Sequence, residues 1–181
     1  MPAMTIFQKT WHTFTAAPHR MMMLGGAVQG VLTLLWWLFD LLGRYGGLYT
    51  APAWSIAPTW AHAFLMLYGF FPFFIFGFLM TTYPNWMNGE KIPLRFYVPS
   101  FLLMAGGVAL FYLGLLAGKS LLLAGTALLL AGWGIALLAL LRVLTRAKYD
   151  DKRHPIITTF ALIMGWLGIL SYLVWLASEN A

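Results

Sequence analysis

Four histidines are the whole stock of imidazole in this chain of 181 residues, and three of them head a stripe of small or sulfur-bearing residues at helical spacing. His19 leads Met23, Gly26 and Gly30; His62 leads Met66, Gly69, Phe73, Gly77 and Met80; His154 leads Thr158, Ala161, Gly165 and Gly168. Neutral imidazole is a good ligand for haem iron and copper, so His19, His62 and His154 are the candidate metal ligands. A glycine stripe admits either a second helix backbone or the flat face of a cofactor, and small-residue packing alone accounts for any one stripe. His12 lies in a polar leader and reads as solvated. Met21, Met22 and Met23 offer thioethers suited to Cu(I). Three consecutive side chains point three ways on a helix, however, and the expectation is that they face lipid. With no cysteine in the chain, disulfides, thiolate zinc, iron–sulfur clusters and a thiol nucleophile are excluded. No Ser–His–acid arrangement, His-Glu-x-x-His motif or phosphate loop is present, which leaves hydrolysis without support. Whether the chain is an enzyme stays open on these residues.

The elements that must position the histidines follow from hydropathy. Of the chain, 61% is hydrophobic and 9% charged, with a mean hydropathy of +0.79; soluble domains carry about 25% charged residues. In lipid every backbone polar group must be paired internally, which leaves helices or closed barrels. The apolar residues run in continuous blocks rather than alternating, so the fold class is all-α, a polytopic transmembrane bundle in a single domain. A span needs about 20 apolar residues, and the charges divide the chain into five: about 21–43, 59–82, 96–117, 120–141 and 155–177, after a leader at 1–20. Pro155 suits a first helical turn. Phe7, Trp11 and Phe14 in the leader have near-helical spacing and suggest a short surface-lying helix. No cleavable signal peptide is evident.

Orientation follows from the short loops. Nine of the eleven Lys and Arg (Lys9, Arg20, Lys91, Arg95, Arg142, Arg146, Lys148, Lys152 and Arg153) fall at one set of span ends; Arg44 and Lys119 fall at the other. The positive-inside rule then puts the N-terminus in the cytoplasm and Glu179 outside. The net charge of +6 belongs to that membrane face and implies no nucleic-acid partner. Trp54, Trp60, Tyr83, Trp86 and Trp175 fit interfacial belts. His19 and His154 both begin spans at the inner face, whereas His62 lies about one turn in from the outer face, at ~1.5 Å rise per residue. His62 and His154 cannot share one haem on these spans; His19 and His154 could, with His62 serving a separate site. Asp40 is a candidate partner for His62, but an i,i+4 pair with Arg44 is the favoured expectation.

These residues resemble a known family. Pro18-His19-Arg20-Met21 running into Leu24-Gly25-Gly26 looks like the N-terminal entry of the NnrS family, membrane proteins associated with haem, copper and the bacterial nitric-oxide response. His62-Ala63-Phe64-Leu65-Met66-Leu67-Tyr68-Gly69-Phe70 is similar to its His-x-His-Glu-Met-Leu-Phe-Gly-Phe helix. Gly77 to Trp86, which ends Tyr83-Pro84-Asn85-Trp86, is close to its Gly-Phe-Leu-Leu-Thr-Ala-x-Pro-Asn-Trp ending, and Arg153-His154-Pro155 looks like its later Arg-His entry. Where the family motif has a second His and a Glu, this chain has Phe64 and Leu65, so only His62 carries over. The resemblance implies a short or half-length relative in a bacterial inner membrane, linked to nitric-oxide response or detoxification, with a haem of b-type and copper as a second metal. It implies axial ligation by His19 and His154, an edge shaped by Tyr83, Asn85 and Trp86, and Arg20 and Arg153 on the haem propionates. Nitric oxide or another diatomic would be the small ligand, and a second copy of the chain a partner. The competing readings are a transporter or channel subunit, with Pro72 kinking its helix, and a non-catalytic assembly subunit. Against transport, no buried acid–base chain and no inverted repeat is visible.

Overall fold

The computed structural model describes residues 5–148 and 151–178. The expected outer position of Glu179 and the first four leader residues lie outside them. Among the described residues there are helices and no strands, and five helices are long and apolar enough to cross a membrane: Pro18–Arg44, Pro58–Trp86, Leu94–Ala117, Lys119–Arg146 and Arg153–Ala177. We number them spans 1 to 5. Each contains the expected span, extended at its ends by charged or polar residues that reach past an apolar core. A leader helix, Ile6–Phe14, precedes them.

The local chemistry explains where these helices begin. Thr5 caps the leader helix by accepting from the Gln8 N–H at 3.2 Å, while the Gln8 side chain accepts from the Thr5 N–H at 2.9 Å. This reciprocal capping satisfies two otherwise orphaned donors. Ile6, Phe7 and Trp11 are exposed, as suits a helix lying on a membrane surface. Its C-terminal end is tied down by Phe14 against Phe101, edge-on at 5.6 Å, and by the Tyr97 hydroxyl donating to the Thr15 carbonyl at 2.6 Å. Pro18 and Pro58 open spans 1 and 2 at first-turn positions that need no N–H. Pro155 falls in the first turn of span 5.

Span 2 is one continuous helix with a widened, π-helical turn at Leu65–Phe70, where the Phe71 N–H bonds the Met66 carbonyl five residues back. Pro72 follows it. A proline ring clashes with the carbonyl four residues earlier and leaves it without a donor, and a π-turn gives that carbonyl room. The widened turn thus accommodates Pro72 without breaking the helix.

Consecutive spans run antiparallel. Spans 3 and 4 form the closest pair, joined through Gly118 alone, whose φ of +116° is open to glycine. A Cβ on Gly107 would lie 2.6 Å from the Gly125 carbonyl oxygen, and one on Gly125 the same distance from the Gly107 oxygen. Backbone meets backbone there, as small residues permit in a membrane. Span 2 stands in the middle: span 1 packs on one side, spans 3 and 4 contact it, and span 5 touches it through aromatic rings. Met21 and Met22 are fully buried, which corrects the expectation of lipid-facing methionine. Span 2 packs on that turn of span 1, where Gly77 faces Met22, and flexible thioethers fill the irregular gap.

Candidate functional site

The first two histidine stripes face each other. A Cβ on Gly26 would strike the Phe74 ring at 2.6 Å, one on Gly30 the Phe70 ring at 2.6 Å, and one on Gly77 the Met22 Cβ at 3.0 Å. In span 5, Gly165 seats Trp133 and Gly168 seats the Tyr68 hydroxyl. The stripes therefore hold side chains of neighbouring spans, and their glycines leave no flat slot for a porphyrin inside the bundle.

His19 and His154 come from the same end of the bundle, but they approach span 2 from different sides. His19 Nδ1 lies 3.3 Å from the Thr81 hydroxyl, which itself donates to the Gly77 carbonyl at 2.8 Å. Span 5 enters against Tyr83, whose buried hydroxyl donates to the Pro155 carbonyl at 3.0 Å. Thr81 and Tyr83 are two residues apart, and at roughly 100° per residue they point to nearly opposite faces of one helix. Span 2 thus separates His19 from the entry of span 5, and His154 itself is exposed. Asn85 and Trp86 are exposed as well, Trp86 resting edge-on against Phe78 at 5.6 Å.

The two arginines beside these histidines already have partners. Arg20 donates to the Thr13 carbonyl at 3.1 Å. Arg153 forks onto Asp151 at 3.0 and 3.1 Å, and that hydrogen-bonded guanidinium holds the Asp151 carboxyl below its ordinary range. Pairing with a propionate would require Arg153 to give up the Asp151 carboxylate, whereas Arg20 keeps N–H groups free of that one bond.

His62 is the histidine held most distinctively. Its ring lies flat on Trp37 of span 1, with centroids 4.3 Å apart and planes within 14°. Its Nδ1 is buried and has no hydrogen-bond partner among the described residues. An unsatisfied buried nitrogen costs about 1–3 kcal/mol, so it calls for an explanation. Asp40 does not supply one. Its buried carboxylate takes the Arg44 Nε at 2.6 Å and Nη2, and also the Trp54 indole N–H at 2.7 Å. The i,i+4 pair with Arg44 is the outcome the spacing favoured. Trp54 is the partner that spacing could not reveal, because it reaches back from the loop. The Arg44 guanidinium also sits over Trp37, 5.4 Å from the ring centre, so guanidinium, indole and imidazole form one cluster at this end.

A second polar cluster was marked in the sequence only by Gln29, an interruption in an apolar block. Gln29 donates to Thr33 at 2.9 Å and to Tyr112 at 3.2 Å, and the two hydroxyls lie 2.9 Å apart. The signal was the i,i+4 spacing of Gln29 and Thr33 within span 1; their partner on span 3 carries no local mark. This cluster pins span 1 to span 3. Among the described residues no three His, Asp or Glu side chains gather as a metal site.

In comparisons with known proteins, the family described as NnrS protein matches residues 13–181. No curated protein matches the chain, and no solved structure does.

Proposed function

This chain belongs to the NnrS family, which suggests a membrane protein of the nitric-oxide response, and from that premise we propose that it carries a histidine-ligated metal, with b-type haem the first candidate and copper the second. The observation that supports this reading is the buried, unpartnered Nδ1 of His62 on the Trp37 ring. That atom is either a lone pair awaiting a Lewis acid or an N–H awaiting an acceptor, and a metal ligand needs the first. His19 fits in another way: with Nδ1 engaged by Thr81, its Nε2 is oriented for a ligand, as hydrogen-bonded metal histidines are. His154 is the open imidazole of the set.

One chain offers these imidazoles singly, because span 2 parts His19 from span 5. The filled glycine stripes argue for a group held at the bundle's edge, or between copies, rather than enclosed among the spans. His62, His19 or His154 would hold such a haem, and the chemistry it would supply when bound is capture of a diatomic such as nitric oxide. For a group at His19 or His154, separate from one at His62, Tyr83 would act through the backbone at Pro155, and Asn85, Trp86, Arg20 and Arg153 would border it at the face where the basic residues collect. The same basic bias supports a cytoplasmic position for that face and an outer one for the C-terminus, in a bacterial inner membrane.

A reduced-minus-oxidised spectrum of the detergent-purified protein, with iron and copper analysis, tests the proposal. We expect a Soret band that His62→Ala, His19→Ala or His154→Ala diminishes. A colourless protein, metal-free even after reconstitution, would overturn it. The π-turn before Pro72 favours one second reading, a helix that moves during transport, since such turns recur at functional sites. Solute uptake into proteoliposomes that survives all three histidine substitutions would support transport instead.

A further inference from the structure

Between the start of span 3 and the end of span 4 lies a pocket of about 340 Å³ whose polar lining is Glu90, Lys91, Arg95, Arg142 and Arg146. Its floor is apolar and includes Phe96. Two guanidiniums converge on that single ring: Arg95 Cζ lies 5.6 Å from its centre and Arg142 Cζ 5.8 Å. Among the described residues, neither side chain donates a hydrogen bond or reaches a carboxylate; the only ion pairs are Arg44–Asp40 and Arg153–Asp151. Four cations against the Glu90 carboxylate leave a surplus of three positive charges around one concavity. Like charges gathered around one concavity repel, modestly where they are exposed to solvent. An anion between them reverses the sign of that interaction.

The surroundings decide what kind of anion. The pocket sits at the ends of two spans, where charged residues close both apolar blocks. Leu138, 61% exposed, is one turn deeper than Arg142 on the same face of span 4, and Leu102, 54% exposed, is two turns deeper than Arg95 on span 3. A ligand with its charge in the pocket would lay an apolar tail over those leucines.

We propose that this pocket binds the phosphodiester headgroup of an anionic membrane lipid, with Arg95 and Arg142 as the forked donors to the phosphate and Lys91 and Arg146 as the outer charges. Guanidinium forks match phosphate oxygens, and basic pockets between spans are a general way of holding such lipids. The site is separate from the histidines and stands whether or not the chain binds a metal.

Detergent-purified protein titrated with dihexanoyl-phosphatidylglycerol, dihexanoyl-phosphatidylcholine or inorganic phosphate at matched ionic strength, followed by thermal unfolding, tests it. The expected result is a saturable rise in Tm with phosphatidylglycerol alone. Arg95→Gln/Arg142→Gln should weaken that binding about tenfold or more, given the strength of charge-assisted hydrogen bonds, and Lys9→Gln should not. An equal shift with phosphatidylcholine, or unchanged binding in the double variant, overturns the proposal. An equal shift with inorganic phosphate overturns the lipid assignment in favour of a free anion. If the double variant does not fold, the headgroup series on the unaltered protein decides alone.

Discussion

At the scale of single residues, the C-terminal end of span 1 carries the most exposed energetic risk. Asp40 is fully buried and depends on Arg44, whose side chain is 28% exposed, and on one indole N–H. Removing one partner of a buried pair costs about 3–5 kcal/mol, and the partial exposure of Arg44 argues for the lower end. Arg44→Gln is therefore expected to destabilise the protein by about 3 kcal/mol in a denaturant titration in mixed micelles, and a loss below about 1 kcal/mol would mean the pair behaves as a surface contact. The same substitution removes the cation from Trp37, and hence changes the environment in which His62 is stacked. His62 itself was legible as a functional candidate, because a lone imidazole in an apolar block is costly by default. Its stacking partner was not, since Trp37 is twenty-five positions away and only the antiparallel pairing of spans 1 and 2 brings the rings together. Met21 and Met22 show the converse: their chemistry says only that they are apolar, and apolar residues serve lipid and core alike.

At the scale of the helix, neighbouring glycines make opposite forecasts. A Cβ at Gly107 would meet backbone of span 4 at 2.6 and 2.7 Å, whereas one at Gly106 meets nothing within 4 Å. Gly107→Ala should destabilise the protein by about 1–3 kcal/mol through overpacking. Gly106→Ala should be neutral or stabilise it by up to about 1 kcal/mol, the helix-propensity difference. Equal effects in the same micelle titration would mean that spans 3 and 4 are not in backbone contact. The sequence identified five spans to within a few residues at each end because charge and lipid are so strongly incompatible that the boundaries are written in composition. It did not reveal what fills each stripe, since glycine marks a close approach without naming the visitor. Nor did it reveal the π-turn, because a proline marks a disturbed helix without saying how the turn before it is bonded, and only the hydrogen bond from Phe71 to Met66 shows that.

For the whole molecule, the distribution of cations gives a forecast independent of any cofactor. Alkaline phosphatase fused after Ser178 is expected to be active, and fused after Lys152 inactive, in intact bacterial cells. The reverse pattern would turn the molecule over and put the basic pocket of spans 3 and 4 on the outer surface. The bundle also divides its labour by distance. Polar clusters pin span 1 to its neighbours at two depths, through Gln29–Thr33–Tyr112 and Asp40–Trp54, while span 5 is attached by rings, indole donors and the Tyr83 hydroxyl.

The one-residue joint at Gly118 bears on how such a chain is assembled. Closing a loop costs entropy that grows with its length, and this loop is as short as a reversal of direction allows. Spans 3 and 4 are therefore able to recognise each other as soon as both have emerged from the ribosome. Gly107 and Gly125 are their docking marks, and a side chain at either would stand in the way of that early pairing.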